Sequence, residues 1–258
     1  MQCLKLEERI RKQIFASCLI VERNKMTIQN IHKPLKDSEV LNSIMKLEEI
    51  KGSTEEKKLK VLALSDIHGD VSLVNKMAEK AEKENVDIVL ICGDFSNFGQ
   101  NYKNMVGPFL KKGKRVLFVP GNHEGDDLAD FISEVYKIKN LHGYSAVYGD
   151  VGFFGCGGAN IGPNIKSESE LMYALEKGFE RIKHMDKKIL VSHMHPKDSK
   201  MENFSNFVPG SSSLTEAIKR FKPDFVVCGH VHEGQGIEEV IGTSKVLNVA
   251  RDGKIFEI

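Results

Sequence analysis

The sequence predicts an α/β protein, and three observations carry that expectation. From Leu59 onward, short apolar runs alternate with amphipathic stretches, the pattern of parallel sheets joined by right-handed crossovers. Five of the apolar runs are followed at once by polar residues of metal-binding type. Of the 258 residues 41% are hydrophobic, enough to bury a sizeable core and to exclude disorder over most of the length.

Taken in order, residues 1–58 stand apart as an extension, with 12 Lys and Arg, 9 Asp and Glu and no cluster of chemically capable residues. Leu4 to Phe15 and Val40 to Ile50 carry apolar residues at helical spacing, and Lys25 to Ile31 alternates like a strand. This predicts a helix–strand–helix segment packed on the core or on a neighbouring subunit, because its apolar residues need burial. Phe15-Ala16-Ser17-Cys18 faintly resembles a lipoprotein cleavage box, but the acids Glu7 and Glu8 precede a short apolar stretch, so the segment reads as folded protein. Lys51 to Lys58 is polar and reads as a linker or surface loop.

The region 59–258 then reads as one domain. Strands are expected at 60–64, 87–91, 115–119 and 188–191, with a further one at 224–227. Helices are expected at 71–84, 102–112, 127–139, 168–185 and 214–221. A hairpin over 146–154 turns at Gly149-Asp150, and a β meander over 237–241, 245–249 and 254–258 closes the chain.

Several classes fall away on composition. Lys and Arg number 37 against 36 Asp and Glu, so net charge drives no general affinity for nucleic acid or membrane surfaces. No run approaches the roughly 18 apolar residues of a membrane span. Cys3, Cys18, Cys92, Cys156 and Cys228 are scattered and odd in number, against a disulfide framework or thiolate zinc site. A reducing, cytoplasmic location fits best.

The chemistry lies after the strands. The five segments are Ser65-Asp66-Ile67-His68-Gly69-Asp70, Cys92-Gly93-Asp94, Pro120-Gly121-Asn122-His123-Glu124, Ser192-His193-Met194-His195-Pro196 and Cys228-Gly229-His230-Val231-His232-Glu233. Six of the nine histidines fall in them. Carboxyl ends of strands in open α/β sheets converge on the ligand crevice, so distant residues are expected to meet there. Imidazole, carboxylate and one amide, without thiolate, suit Mn, Fe, Zn or Ni, with Mn favoured. Seven oxygen or nitrogen ligands suffice for two ions if one carboxylate bridges, and such a pair clamps both oxygens of a phosphoryl displacement.

Asp-x-His, Gly-Asp, Gly-Asn-His-Glu, a later His and Gly-His-x-His in this order resemble the calcineurin-like metallophosphoesterase superfamily over about residues 59–250. Ser-His-Met-His-Pro and Gly-His-Val-His-Glu are most similar to small phosphoesterases related to bacterial cyclic-nucleotide phosphodiesterases. The resemblance implies a four-layer α/β/β/α sandwich of two mixed sheets. It implies that Asp66, His68 and His232 hold one ion, Asn122, His193 and His230 the other, and that Asp94 bridges. His123 would face the leaving group while Asn122 orients the phosphate, and a metal-activated hydroxide would attack in line. The expected substrate is a small phosphate ester, possibly a nucleotide, with nucleic acid and membrane not expected as partners and a homo-oligomer allowed. Where relatives often end the core in Asn-Pro-Gly, this chain has Asn248-Val249-Ala250.

Plainer readings compete at several positions. Asp70 is read as a helix cap. His195 either helps bind phosphate or is a supporting or surface residue, the latter being preferred. Glu124 and Glu233 could orient histidines or be exposed loop acids. His32, His142 and His184 read as surface residues, and Asn160 beside Gly155-Cys156-Gly157-Gly158 as able to reach a substrate. Three functional rivals remain. A protein phosphatase is disfavoured because Gly93-Asp94-Phe95-Ser96-Asn97-Phe98-Gly99 lacks the Asp-Arg-Gly of such enzymes. A DNA nuclease lacks a basic insertion. A non-catalytic scaffold, such as the one in an endosomal coat, tends to lose ligands that are all present here.

Overall fold

The computed structural model describes residues 58–204 and 208–258, so the helices and strand expected within residues 1–58 lie outside the described residues. One sheet holds β1 (Lys60–Leu64), β2 (Ile88–Cys92), β3 (Arg115–Val119) and β4 (Lys139–Asn140), all parallel. β11 (Lys254–Glu257) joins its edge antiparallel to β1. The second sheet runs in the order β5 (Ser145–Tyr148), β6 (Val151–Cys156), β7 (Lys187–Ser192), β8 (Phe225–Cys228), β10 (Ser244–Asn248), β9 (Glu238–Ile241). Its inner four strands are parallel, and β5 and β9 are antiparallel hairpin partners at the two edges.

Both faces of each sheet are covered, which is why the strands are continuously apolar instead of alternating. In β2, Val89 and Ile91 pack with Val74, Met77 and Ala81 of helix α1 (Val71–Lys83). Ile88, Leu90 and Cys92 point the other way, into a layer shared with Phe153, Ile189 and Val227 of the second sheet. Beyond that sheet, Leu190 and Val226 pack against Leu171 and Leu175 of helix α4 (Glu168–Glu180) and Leu214 and Ile218 of helix α5 (Ser212–Phe221). Three apolar layers between four layers of structure give the α/β/β/α sandwich. Side chains cap the starts of α1 and α4: Asp70 accepts from the Leu73 N–H at 2.9 Å, and Ser167 with Glu170 forms a capping box on α4.

Four expected elements differ, the simplest being α4, which stops at Glu180 instead of reaching 185. Instead of a helix over 102–112, only Gly107–Lys111 (α2) is helical. Asn101 and Asn104 adopt left-handed φ of 54° and 66°, and Pro108 lies in the first turn of the helix, which its fixed φ suits. Helix α3 (Asp126–Tyr136) stops early because Lys137 turns left-handed, freeing 139–140 to become β4. The terminal meander is divided: β9 and β10 pair, but the last strand crosses to the first sheet, where Phe256 stacks on Phe225 with ring centroids 4.6 Å apart.

The crossing passes through Ala250, whose φ of 30° is unfavourable for a residue bearing a β-carbon and whose carbonyl accepts from the Ser65 N–H at 2.8 Å. Glycine is at ease there. Ala250→Gly is therefore expected to stabilise the fold by about 1 kcal/mol, raising the melting temperature by about 2–4 °C. Calorimetry showing no gain would mean that this backbone is not strained.

Candidate metal centre

The loops following β1, β2, β3, β7 and β8 meet at one edge of the sandwich, with both sheets contributing. Asp94, after β2, is the hub. Its Oδ2 lies 3.4 Å from His193 Nε2, 3.8 Å from His123 Nε2 and 4.0 Å from His68 Nε2, while its Oδ1 accepts from the His123 backbone N–H at 2.9 Å. Asp66, after β1, accepts from the His230 N–H at 3.0 Å and sits 3.3 Å from His232 Nε2. The His68 and His232 Nε2 atoms are 3.5 Å apart. Asn122 Oδ1 lies 3.1 Å from His193 Nε2. Ligand atoms of Asp66, His68 and His232 fall within 4.8 Å of one another, and so do those of Asp94, His193 and His230.

Local backbone explains how such separated residues approach so closely. Asp66, His68, Asp94 and His230 all have positive φ, between 49° and 69°. Side-chain-bearing residues adopt this region reluctantly, and its concentration at one site marks strain held by the surrounding fold. A β-carbon on Gly121 would collide with Asp94 Oδ1, and one on Gly229 with Ser65 Oγ. Those glycines let loops from different strands stack directly on the carboxylates.

The electrostatics are those of a site awaiting a cation. Asp66 and Asp94 are buried. Burial pushes both carboxyls up, but the neighbouring imidazoles, His232 and His193 at Asp66 and chiefly His193 at Asp94, outweigh it and hold both below the usual range. For His193, burial opposes the charge, yet the Asp94 carboxylate raises it to about 9. Burial instead drives His230 down to about 3, leaving a neutral ring. Burial also lowers His68, whereas Asp66 against His232 raises the latter.

The donor geometry fits a metal. His193 Nδ1 lies 2.9 Å from the Cys92 carbonyl, a pure acceptor, so that nitrogen carries hydrogen. Its Nε2 then faces two further oxygens, of Asn122 and Asp94. His230 Nε2 is buried without a hydrogen-bond partner among the described residues. An unpartnered buried acceptor is costly unless a cation joins it, and once His193 gives up its proton its Nε2 turns a lone pair toward the same place. The nitrogen and oxygen donors suit borderline or hard divalent ions.

Other residues of the five segments are placed differently. Asp70 caps α1 and pairs with Arg251 at 2.6 Å. Glu233 is exposed. His195, preferred above as a supporting or surface residue, is fully buried, which excludes the surface alternative, and neither ring nitrogen has a hydrogen-bond partner among the described residues. Burial lowers it to about 4, so it sits neutral beneath the site. His142 is half-buried and its Nδ1 accepts from the Gly157 N–H at 2.9 Å, so it is no surface residue, while His184 is exposed. Asn160 donates to the Pro209 carbonyl at 3.0 Å.

Glu124 is the residue whose part the sequence reading missed. It touches no histidine and is not exposed. It accepts from the Ser96 N–H at 2.8 Å, the Ser96 hydroxyl at 2.6 Å and the Gly121 N–H at 2.9 Å, tying the loop after β2 to the loop after β3. Burial, with the Asp94 charge, raises it to about 7. Its partner is 28 residues away, so no local spacing signals the contact.

The sequence profile of the calcineurin-like phosphoesterases matches residues 59–234. The chain belongs to this family. Among relatives, it is 27% identical over 207 residues to the uncharacterized protein MJ1162 of Methanocaldococcus jannaschii, covering 74% of this chain and 88% of that one. The fold is shared with TT1561 of Thermus thermophilus, with a TM-score of 0.63, 18% identity and coverage of 78% and 99% of the two chains. It is shared also with a dimetal phosphatase of Danio rerio, with a TM-score of 0.52, 11% identity and coverage of 74% and 87%. As a calcineurin-like phosphoesterase the protein is a metal-dependent hydrolase of phosphate esters.

Proposed function

We propose that this calcineurin-like phosphoesterase is a dinuclear phosphodiesterase acting on a small molecule or nucleotide. One observation carries the reading: Asp94 Oδ2 lies 4.0 Å from His68 Nε2 and 3.4 Å from His193 Nε2, within reach of both groups of histidines, so that a single carboxylate could serve two ions. Asp66, His68 and His232 would hold one ion, and Asn122, His193 and His230 the second. Two divalent ions, when bound, supply a nucleophile at neutral pH and positive charge for the displaced oxygens.

The remaining work falls to the protein. Asn122 offers Oδ1 toward His193, and its amide would orient the phosphate. Phe98 N–H donates to His123 Nδ1 at 3.3 Å, leaving the Nε2 side of that ring turned toward Asp94 and free to donate to a leaving oxygen. No arginine lies within the five segments, and Arg251 is held by Asp70. That absence of a fixed guanidinium favours a monoanionic diester over a dianionic monoester or phosphoprotein. Manganese is favoured among ions suiting the donor set. A cytoplasmic location accords with Cys92, Cys156 and Cys228, which are free and buried. Among the described residues no helix is long and apolar enough to cross a membrane.

Turnover of a panel of phosphomonoesters, phosphodiesters and cyclic nucleotides, with metal analysis, tests the reading. Faster monoester than diester hydrolysis would overturn it.

Metal binding should also depend on pH in a defined direction. Without metal His193 stays protonated up to about pH 9, whereas a ligand must be neutral. Manganese affinity is therefore expected to rise by about tenfold per pH unit from near neutrality to about 9, then level off. The stability that His193 gives the metal-free fold runs the opposite way: full below the ordinary histidine range, and lost as pH climbs through about 9. Calorimetric titrations across that window measure the first effect, and a flat profile would exclude His193 as a ligand.

A further inference from the structure

Phe98 occupies the rim of the metal centre without any part in holding ions. Its ring stacks on His123 with centroids 3.9 Å apart and planes 22° from parallel, yet 61% of the residue remains exposed. Burial therefore does not explain it. Its φ is 51°, an unfavourable conformation for a bulky side chain. The surrounding loop enforces that conformation. Asn97 and Gln100 exchange backbone hydrogen bonds of 2.9 Å, Gly99 N–H donates to Ser96 Oγ at 3.1 Å, and Ser96 is fixed by the buried Glu124. On the other side of the same turn, Asn164 donates to the Asn122 carbonyl at 2.8 Å, and its loop carries the exposed Ile161 and Ile165. The rim beside Asn122 and His123 is thus apolar, with one open aromatic face held in place by strained backbone.

We infer that Phe98 is a specificity-determining residue: its open face stacks a planar aromatic group on the leaving side of the phosphate. The substrate class is then a diester bearing a nucleobase or a similar ring, and an alkyl ester would lack the contact. This rests on the phosphodiesterase reading above, with His123 beside the leaving group. Stacking on an aromatic side chain tolerates any base, because each base presents a π-face.

The test uses the full chain loaded with manganese and reads binding as well as turnover. Calorimetry would compare adenosine 5′-monophosphate, ribose 5-phosphate and inorganic phosphate on the wild type, Phe98→Leu and Phe98→Ala. Expected is adenosine monophosphate binding about tenfold tighter than ribose phosphate, with that preference lost in both variants and ribose phosphate unchanged. Leucine keeps the apolar bulk but removes the ring, so loss in both variants assigns the effect to stacking. Equal binding of adenosine monophosphate and ribose phosphate by the wild type, binding of neither, or equal weakening of every ligand in the variants would overturn the inference. Turnover of bis(4-nitrophenyl) phosphate separates the two readings. Turnover without base preference sinks the stacking inference alone, whereas Phe98-dependent base preference without turnover of any ester sinks only the hydrolase assignment.

Discussion

Asp94→Ala is expected to abolish phosphoesterase turnover and to reduce bound metal from two ions per chain to at most one. Asp94 is the carboxylate 4.0 Å from His68 and 3.4 Å from His193, so its loss removes the acid that, among the described residues, lies near both groups of histidines. Ions in such pairs contribute several kcal/mol to the displacement of phosphate oxygens, which at about 1.4 kcal/mol per decade corresponds to about 10³-fold or more in rate. The substitution also has a signature without metal. His193 is raised to about 9, against the opposing effect of burial, by the Asp94 carboxylate beside it. In Asp94→Ala that support is gone and burial prevails, so the ring should become neutral below its ordinary range. Nuclear magnetic resonance titration of the metal-free variant reads this directly. Retention of two ions and of a protonated His193 at neutral pH would remove Asp94 from its proposed place.

His123→Ala is expected to leave both ions in place and to lower turnover by about 10²–10⁴, the range for loss of general-acid catalysis. Its ring reaches 3.8 Å from Asp94 Oδ2 and lies 4.6 Å, centroid to centroid, from His68, close enough to be weighed as a ligand. Metal content decides that question first, since loss of an ion would make it a ligand. The leaving group decides the rest. A nitrophenoxide departs with little protonation, whereas an alkoxide needs a proton, so alkyl esters should suffer the larger loss. Equal losses on both, with metals retained, would leave His123 as a phosphate-positioning residue.

Much of this site could be read before folding because its parts are local in sequence. Asp66 and His68 stand two residues apart, as do His230 and His232, and each group follows an apolar run. Strand geometry then does the assembly: parallel strands deliver whatever follows them to the same edge. Asp70 was readable as a cap for the same reason, its partner Leu73 lying three residues on. For Glu124 and His195 the exposed alternative fell away only in the structure, because burial is a property of neighbours. Glu124 is fixed by Ser96 on another loop, and His195 is enclosed by the fold without a hydrogen-bond partner among the described residues. Helix ends over 102–106 and 137–139 were misplaced where asparagine and lysine adopt left-handed backbone, which their identity permits but does not dictate.

The sequence by itself determined the α/β class of residues 59–258, the strands that end at the site and the set of nitrogen and oxygen donors. These depend on apolar runs and on residues within a few positions of one another, where spacing is geometry. Only the tertiary structure decided that β11 leaves its meander to pair with β1 and that Phe98 lies exposed on His123. Each is a contact between segments far apart in the chain, set by how two sheets pack face to face, and no local period records which distant residue a side chain will meet.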